Sequence, residues 1–440
     1  MKTLTKAAAA LTGSLDVPGD KSISHRAVML SALGTGTTRV HNFLQGADCI
    51  STIECFRALG VHIEAGRKRG EIAVTGRGLR GLLPSSDPQE LYTGNSGTTT
   101  RILCGILSPQ PFTTILSGDE SINRRPMRRV IEPLSLMGAD ITSLRHSGCA
   151  PLRISGAPLH GITWRSPVAS AQVKSALLCA GLYADSPTTI IEPALSRDHT
   201  ERMLSSMGAS VETKREADGF HITIAPADRL KAEAEITVPG DISSAAYFIV
   251  AALLVPGSEL LLRGAGINPT RSGILTALRA MGGDITQLNE RESGGEPVCD
   301  LLIRHSPLHG CDIGGDMIPT LIDEIPILAV AAACAEGTTV IRDAAELRVK
   351  ETDRITAVAE ALQAMGCRVH AEADKMVIEG RADRPLRGAA ISCRNDHRIA
   401  MSFAVAALTA EGETVLDNEH CVAISYPDFF KDLESLIQHR

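Results

Sequence analysis

A phrase that ends helices recurs five times along this chain of 440 residues. It consists of an apolar residue, a glycine and the opening of a strand: Leu59-Gly60-Val61, Met137-Gly138-Ala139, Met207-Gly208-Ala209, Met281-Gly282-Gly283 and Met365-Gly366-Cys367, with glycines 78, 70, 74 and 84 residues apart. Glycine in the left-handed conformation commonly terminates an α-helix, so each copy predicts a helix end followed by a strand. A second series keeps the same beat. Ser22, Ser96, Ser170, Ser243, Asp323 and Asp396 stand 74, 74, 73, 80 and 73 residues apart, each before an apolar run at helical spacing. Each is a predicted N-cap, because its oxygen can accept a main-chain N–H of the first turn.

Strand starts such as Gly36-Thr37-Thr38-Arg39-Val40 and Gly337-Thr338-Thr339-Val340-Ile341 fall between the two series. The repeating unit therefore reads strand, helix, strand, helix, strand, and six units fill the chain at about 73 residues each. That is too long for a stacked solenoid, which favours closed groups of three. Val17-Pro18-Gly19-Asp20 returns as Val238-Pro239-Gly240-Asp241, an offset of 221 residues or about three units. Two homologous halves follow, with Val17–Asp20 and Val238–Asp241 as the crossings between domains. The expected division is residues 1–20 plus 241–440, a C-terminal-half domain completed by the N-terminal strand, with 21–240 inserted as the middle domain.

Composition narrows the partners. The 44 Lys and Arg against 51 Asp and Glu leave a net charge of −7, and one Trp, four Tyr and eight Phe offer few stacking rings. A nucleic-acid surface needs a basic stripe and usually aromatic platforms, so none is expected. The eleven cysteines are scattered without a C-x-x-C pair, which suits reduced thiols of a cytoplasmic protein and predicts neither disulfides nor a zinc site. The opening MKTLTKAAAALTG is too weakly apolar for a signal peptide, and runs such as 245–255 and 325–335 are too short to span a bilayer.

Chemistry-bearing residues collect at the helix starts, where unpaired N–H groups and the helix dipole favour anions. The strings are Asp20-Lys21-Ser22-Ile23-Ser24-His25-Arg26, Gly94-Asn95-Ser96-Gly97-Thr98, Ser170-Ala171-Gln172-Val173-Lys174 and Asp396-His397-Arg398, with further cations in Arg124-Arg125-Pro126-Met127, Ser196-Arg197-Asp198-His199 and Arg348-Val349-Lys350-Glu351-Thr352-Asp353-Arg354. Gathered at one cleft they would bind a multiply anionic small molecule, arginine supplying paired N–H donors and lysine a point charge. Asp323 and Glu351 add a carboxylate pair suited to acid and base roles. Taken singly, an arginine at a helix start is more often a solvated surface charge; recurrence in phase with the repeat weighs against that reading here. Other matches fail on context. Gly76-Arg77-Gly78-Leu79-Arg80-Gly81 fits a dinucleotide pattern but leads into Leu82-Leu83-Pro84 instead of a helix, and His199-Thr200-Glu201 lacks the P-C-x-x-C that a deaminase requires.

Together, the D-K-S-I-S-H-R, G-N-S-G-T, R-P-M, R-V-K-E-T-D-R and N-D-H-R strings resemble the 5-enolpyruvylshikimate-3-phosphate synthases, over about residue 14 to the end. The resemblance implies an α/β fold of two inverse α/β barrel-like domains, each of three βαβαββ-type units. It implies transfer of the enolpyruvyl group of phosphoenolpyruvate to the 5-hydroxyl of shikimate 3-phosphate by addition and elimination, releasing phosphate on the route to chorismate and aromatic amino acids. Carried over by position, Lys21, Ser22, Arg26, Ser170, Gln172, Arg197, Asp323 and Lys350 would hold shikimate 3-phosphate. Lys21, Gly97, Arg125, Gln172, Arg354 and Arg398 would surround phosphoenolpyruvate. Asp323 would accept the hydroxyl proton, Glu351 would protonate the methylene carbon and Lys21 would assist, with Asn95 and His397 in support. The resemblance calls for no metal and no cofactor, and a monomer suffices. It also makes the chain a candidate glyphosate target.

Four positions depart from the family pattern: Ile424 where many members have lysine, Glu346 for asparagine, Ala171 for a second serine and His199 where some relatives have tyrosine. Two competitors are less well matched. The UDP-N-acetylglucosamine enolpyruvyl transferases use a loop cysteine, and Leu116-Ser117-Gly118-Asp119-Glu120-Ser121 has none. A non-catalytic anion-binding scaffold would have no need of Asp323 and Glu351 together.

Overall fold

The computed structural model describes residues 1–7, 9–382 and 384–437. The chain separates into two compact units, Lys21–Val238 with Ser293–Glu296, and Met1–Asp20 with Pro239–Glu292 and Pro297–Arg440.

In the first unit, strand Gln89–Tyr92 leads into helix Gly97–Leu107, strand Thr113–Ser117, helix Arg128–Leu136 and strands Asp140–Ser143 and Leu152–Ser155. The strands flanking the first helix pair in parallel, Gln89 opposite Thr114, and the last two add antiparallel. This βαβαββ order recurs around helices Ala171–Gly181 and His199–Ser206. In the repeat that opens the unit, the leading strand comes from the far end of the segment: Leu230–Lys231 and Glu235–Thr237 both pair in parallel with Gly34–His41.

The second unit repeats the scheme with helices Ile242–Leu254, Ile325–Cys334 and His397–Ala407, and its sheets are completed by the N-terminal strands. Thr12–Asp16 lies parallel to Glu259–Gly266, and Lys2–Leu4 antiparallel to Thr414–Leu416. Every residue from Ile242 to Leu253 is buried, as is every residue from Ile23 to Leu33 in the first unit. A helix buried on all sides has no use for an amphipathic stripe, so Ile242–Leu253 reads as a nearly continuous apolar run, whereas Ile23–Leu33 also buries Ser24, His25, Arg26 and Ser31. The core of each unit surrounds three such helices. No single helix among the described residues is long and apolar enough to cross a membrane; Gly315–Leu321 and Ile325–Cys334 reach that length only as a pair bent by 112°.

The five punctuating glycines all have left-handed φ, between +78° and +98°. Each closes its helix with the same two hydrogen bonds: Gly60 N–H to Arg57 O and Val61 N–H to Phe56 O, matched at Gly138, Gly208, Gly282 and Gly366. This is the Schellman cap, and it accounts for the repeat period visible in the sequence.

The N-cap series fits less well. Ser96 and Asp396 accept the N–H of Thr99 and Arg398, and Ser170 holds the N-cap position without a side-chain capping bond. Ser22, however, lies inside helix Lys21–Leu33, and Asp241 caps Ile242–Leu254 by accepting the N–H of Ser243. Glu324, not Asp323, precedes Ile325–Cys334, because the turn of helix Ile318–Leu321 runs up to it and leaves no extended residue for a cap. The two Val-Pro-Gly-Asp copies lie side by side: Asp20 N–H donates to Pro239 O at 2.7 Å, and Asp241 N–H to Pro18 O at 2.8 Å.

Candidate active site

Arg354 opens helix Arg354–Ala364 under the capping carboxylate of Asp353 and is 1% exposed. Its Nε donates to Asp396 Oδ2 at 2.8 Å and its Nη2 to Glu351 Oε2 at 2.6 Å, while Nη1 lies 3.3 Å from Asp323 Oδ1. Burial alone would lower the guanidinium pKa, but Asp396 and Glu351 outweigh it and raise the value. Lys350 Nζ stands 3.6 Å from Asp323 Oδ1 and 3.4 Å from Glu346 Oε1. Arg398 Nη1 donates to the Asp323 carbonyl at 3.1 Å. Asp323, Lys350, Glu351, Arg354 and Arg398 are thus one cluster, and buried His397 sits between the capping Asp396 and Arg398. The side chains of Asp323, Glu351 and Lys350 keep 13%, 23% and 21% of their surface, enough for a ligand to reach them.

Sequence reasoning missed what lies beneath. Arg271 and Glu324, both buried, form a two-pronged pair at 2.6 and 2.9 Å, and Ser243 Oγ bonds to both. Glu324 Oε1 is 3.6 Å from Arg398 Nη1, so the pair braces the cation beside Asp323. Burial, then the neighbouring Asp20, pushes the Asp241 carboxyl up to about 6 against the pull of Arg271 and Arg398. Arg271 stands 74 residues after Arg197, itself 72 after Arg125, so the repeat places a cation here; what the sequence does not show is its pairing with the glutamate beside Asp323.

In the other unit, Lys21 is ion-paired with Asp48. Ser22 Oγ is 3.4 Å from Arg197 Nη1. Arg26 is buried and donates to Thr200 Oγ1 at 2.6 Å, Ser175 Oγ at 2.8 Å and Ser22 O at 2.9 Å. Gln172 accepts from Arg101 Nη1 at 2.5 Å and donates to Thr98 Oγ1 at 3.1 Å. Arg125 Nη2 donates to Asn95 Oδ1 at 3.0 Å. A Cβ on Gly97 would stand 2.9 Å from Arg101 Nη1 and 3.2 Å from Arg125 Nη1, so a glycine here lets two guanidiniums converge on the start of helix Gly97–Leu107. Arg101 follows the Gly94–Thr98 string by three residues, and the sequence reading assigns it no role.

The four departures have local accounts. His199 is buried with Nδ1 2.8 Å from Glu296 Oε1, and Glu346 pairs with Lys350. Ile424 packs against the core of its unit, and Ala171 is the first residue of helix Ala171–Gly181.

The family model for EPSP synthase (3-phosphoshikimate 1-carboxyvinyltransferase) matches residues 5–433. The chain belongs to the EPSP synthase family. A 3-phosphoshikimate 1-carboxyvinyltransferase of Geobacter sulfurreducens is 53% identical over 96% of both chains. The EPSP synthase of Acinetobacter baumannii, a solved structure, superposes with a TM-score of 0.87 at 44% identity, covering 99% of this chain and 97% of that one. The fold extends further: an enolpyruvyl transferase, NikO from Streptomyces tendae, gives a TM-score of 0.78 at 19% identity over 99% and 97%. Two inverse α/β domains built from βαβαββ repeats, with helices inside and sheets outside, are the fold of this EPSP synthase family member.

Proposed function

We propose that the chain transfers the enolpyruvyl group of phosphoenolpyruvate to the 5-hydroxyl of shikimate 3-phosphate, as a 3-phosphoshikimate 1-carboxyvinyltransferase of the shikimate pathway. The observation that carries the reading is the placement of Asp323 and Glu351 on one guanidinium, that of Arg354, with Lys350 and Arg398 beside Asp323. In this reading Asp323 takes the hydroxyl proton as the oxygen bonds to C2 of phosphoenolpyruvate, and Glu351 delivers a proton to C3. The tetrahedral adduct then loses a proton from C3 back to Glu351 while the C2–O bond to phosphate breaks, and phosphate leaves with the electron pair. Arg125, Arg354 and Arg398, with Lys21, Gly97 and Gln172, receive phosphoenolpyruvate; fixed cations stabilise the departing phosphate without needing to reorganise. Lys21, Ser22, Arg26, Ser170, Gln172, Arg197 and Lys350 receive shikimate 3-phosphate, and Asn95 and His397 support.

The reading includes two domains, 1–20 with 241–440 and 21–240, for which the two compact units are the support. It also includes action as a monomer in the cytoplasm without metal, cofactor, nucleic acid or membrane; the eleven free cysteines suit a reducing compartment. Phosphate release from phosphoenolpyruvate, measured with either acceptor, tests it. Release with shikimate 3-phosphate and none with UDP-N-acetylglucosamine is expected; the reverse pattern, or no release with either, would overturn it.

A further inference from the structure

Beneath the residues assigned to shikimate 3-phosphate lies a buried charge cluster that the reaction does not use. Glu192, at the end of strand Thr188–Glu192, is fully buried and accepts hydrogen bonds from two separate stretches of chain. Ser170 N–H reaches its Oε1 at 2.9 Å and Ser196 N–H its Oε2 at 3.1 Å, while the Ser196 hydroxyl lies 2.8 Å from both oxygens. Lys174, equally buried, completes the arrangement: its Nζ is 3.1 Å from Glu192 Oε2, 2.7 Å from Glu201 Oε1 and 3.0 Å from the Ser196 carbonyl.

Resting on the functional reading above, we propose that Glu192, neutralised by Lys174, is a positioning residue: it holds Ser170 and the Ser196-Arg197 segment where they receive the phosphate of shikimate 3-phosphate. Ser170 makes no capping bond with its own hydroxyl, so its place before helix Ala171–Gly181 is set through its main-chain N–H, by Glu192. Ser196 is held at its N–H, hydroxyl and carbonyl, which fixes the start of the segment that brings Arg197 Nη1 to 3.4 Å from Ser22 Oγ. A bare carboxylate under a phosphate site would repel the ligand, and Lys174 removes that penalty. Apolar side chains of similar volume would fill the same space at lower desolvation cost, so the retained charges point to a demand for position rather than for stability. Burial works to lower the Lys174 pKa, but Glu201 and Glu192 outweigh it and keep the ammonium charged. Burial raises the Glu201 pKa despite the pull of Lys174.

The test is steady-state kinetics on the full chain with each substrate varied in turn. Glu192→Gln keeps the shape and loses the charge; the KM for shikimate 3-phosphate is expected to rise on the order of tenfold, the scale of a charged hydrogen bond, with kcat and the KM for phosphoenolpyruvate within about twofold. Glu192→Asp keeps the negative charge that balances Lys174, so the buried ammonium is not left uncompensated, but its shorter side chain withdraws the acceptor from Ser170 and Ser196; a rise in the same KM is expected. Glu201→Gln removes a buried carboxylate that neither serine uses, and is expected to leave that KM unchanged. Unchanged KM in the Glu192 variants, equal rises in both KM values, or an equal rise in Glu201→Gln would overturn the proposal. Absence of phosphate release by the unaltered chain would overturn the functional reading itself, so the two failures are distinguishable.

Discussion

Asp323 and Glu351 share the guanidinium of Arg354, which lies 3.3 Å from Asp323 Oδ1 through Nη1 and donates to Glu351 Oε2 through Nη2 at 2.6 Å. Two carboxylates are thereby held to one rigid plane, within reach of a common ligand from which one proton is removed and to which one is delivered. If these are the acid and base, Asp323→Asn and Glu351→Gln should each lower turnover about 10²- to 10⁴-fold. Both side chains are partly exposed, so the far-ultraviolet circular dichroism and unfolding midpoint should hardly move. Phosphate-release rates and melting curves on the same preparations check the pair of statements.

Arg354 itself behaves differently. It is buried against Asp396, and Arg354→Met would leave that buried carboxylate uncompensated, at a cost of about 3–5 kcal/mol. Urea unfolding followed by circular dichroism should show this loss together with lost activity; a variant as stable as the unaltered chain would contradict the burial argument.

Asp241 makes stability depend on pH. Its carboxyl titrates near 6 when folded, above the ordinary carboxylate value near 3.8, because it is buried and faces Asp20. Between those values the folded chain holds the extra proton, so stability falls as pH rises through the window and stays lower above it. At about 1.4 kcal/mol per pKa unit the group accounts for about 3 kcal/mol. Asp241→Asn should lose this dependence while its amide oxygen still caps Ser243 N–H. Urea midpoints from pH 4 to pH 7 should therefore shift in favour of the variant, relative to the unaltered chain, as pH rises.

The repeated caps separate backbone strain from crowding. At Gly208 φ is +86° and an added Cβ would meet nothing, so Gly208→Ala should cost only the left-handed penalty, about 1–2 kcal/mol. At Gly60 φ is +78° and the Cβ would stand 2.6 Å from Leu83 O, so crowding adds about 1–3 kcal/mol. Trp164, the single tryptophan, lies in the same unit as both, and its fluorescence during urea unfolding should rank Gly60→Ala as the more destabilising.

Much of the fold was legible because the Schellman glycines are local: Gly60, Gly138, Gly208, Gly282 and Gly366 each mark a helix end by a conformation few other residues accept. N-caps were less legible, since Ser22, Ser243 and Asp323 share the chemistry of a cap and sit within two residues of the true start. The cluster around Asp323 and Glu351 was legible through short strings of charge. Its foundations were not: Arg271 meets Glu324, and Lys174 meets Glu192 and Glu201, only through the tertiary fold, and no spacing in the chain announces such partners.

Turnover in deuterium oxide tests the central claim most directly. If Glu351 delivers a solvent-exchanged proton to C3 and takes one back as phosphate leaves, the vinyl methylene of the product should carry deuterium, with one phosphate released per enolpyruvyl group transferred. A product free of deuterium, or phosphate released without an enolpyruvyl adduct of shikimate 3-phosphate, would contradict the account.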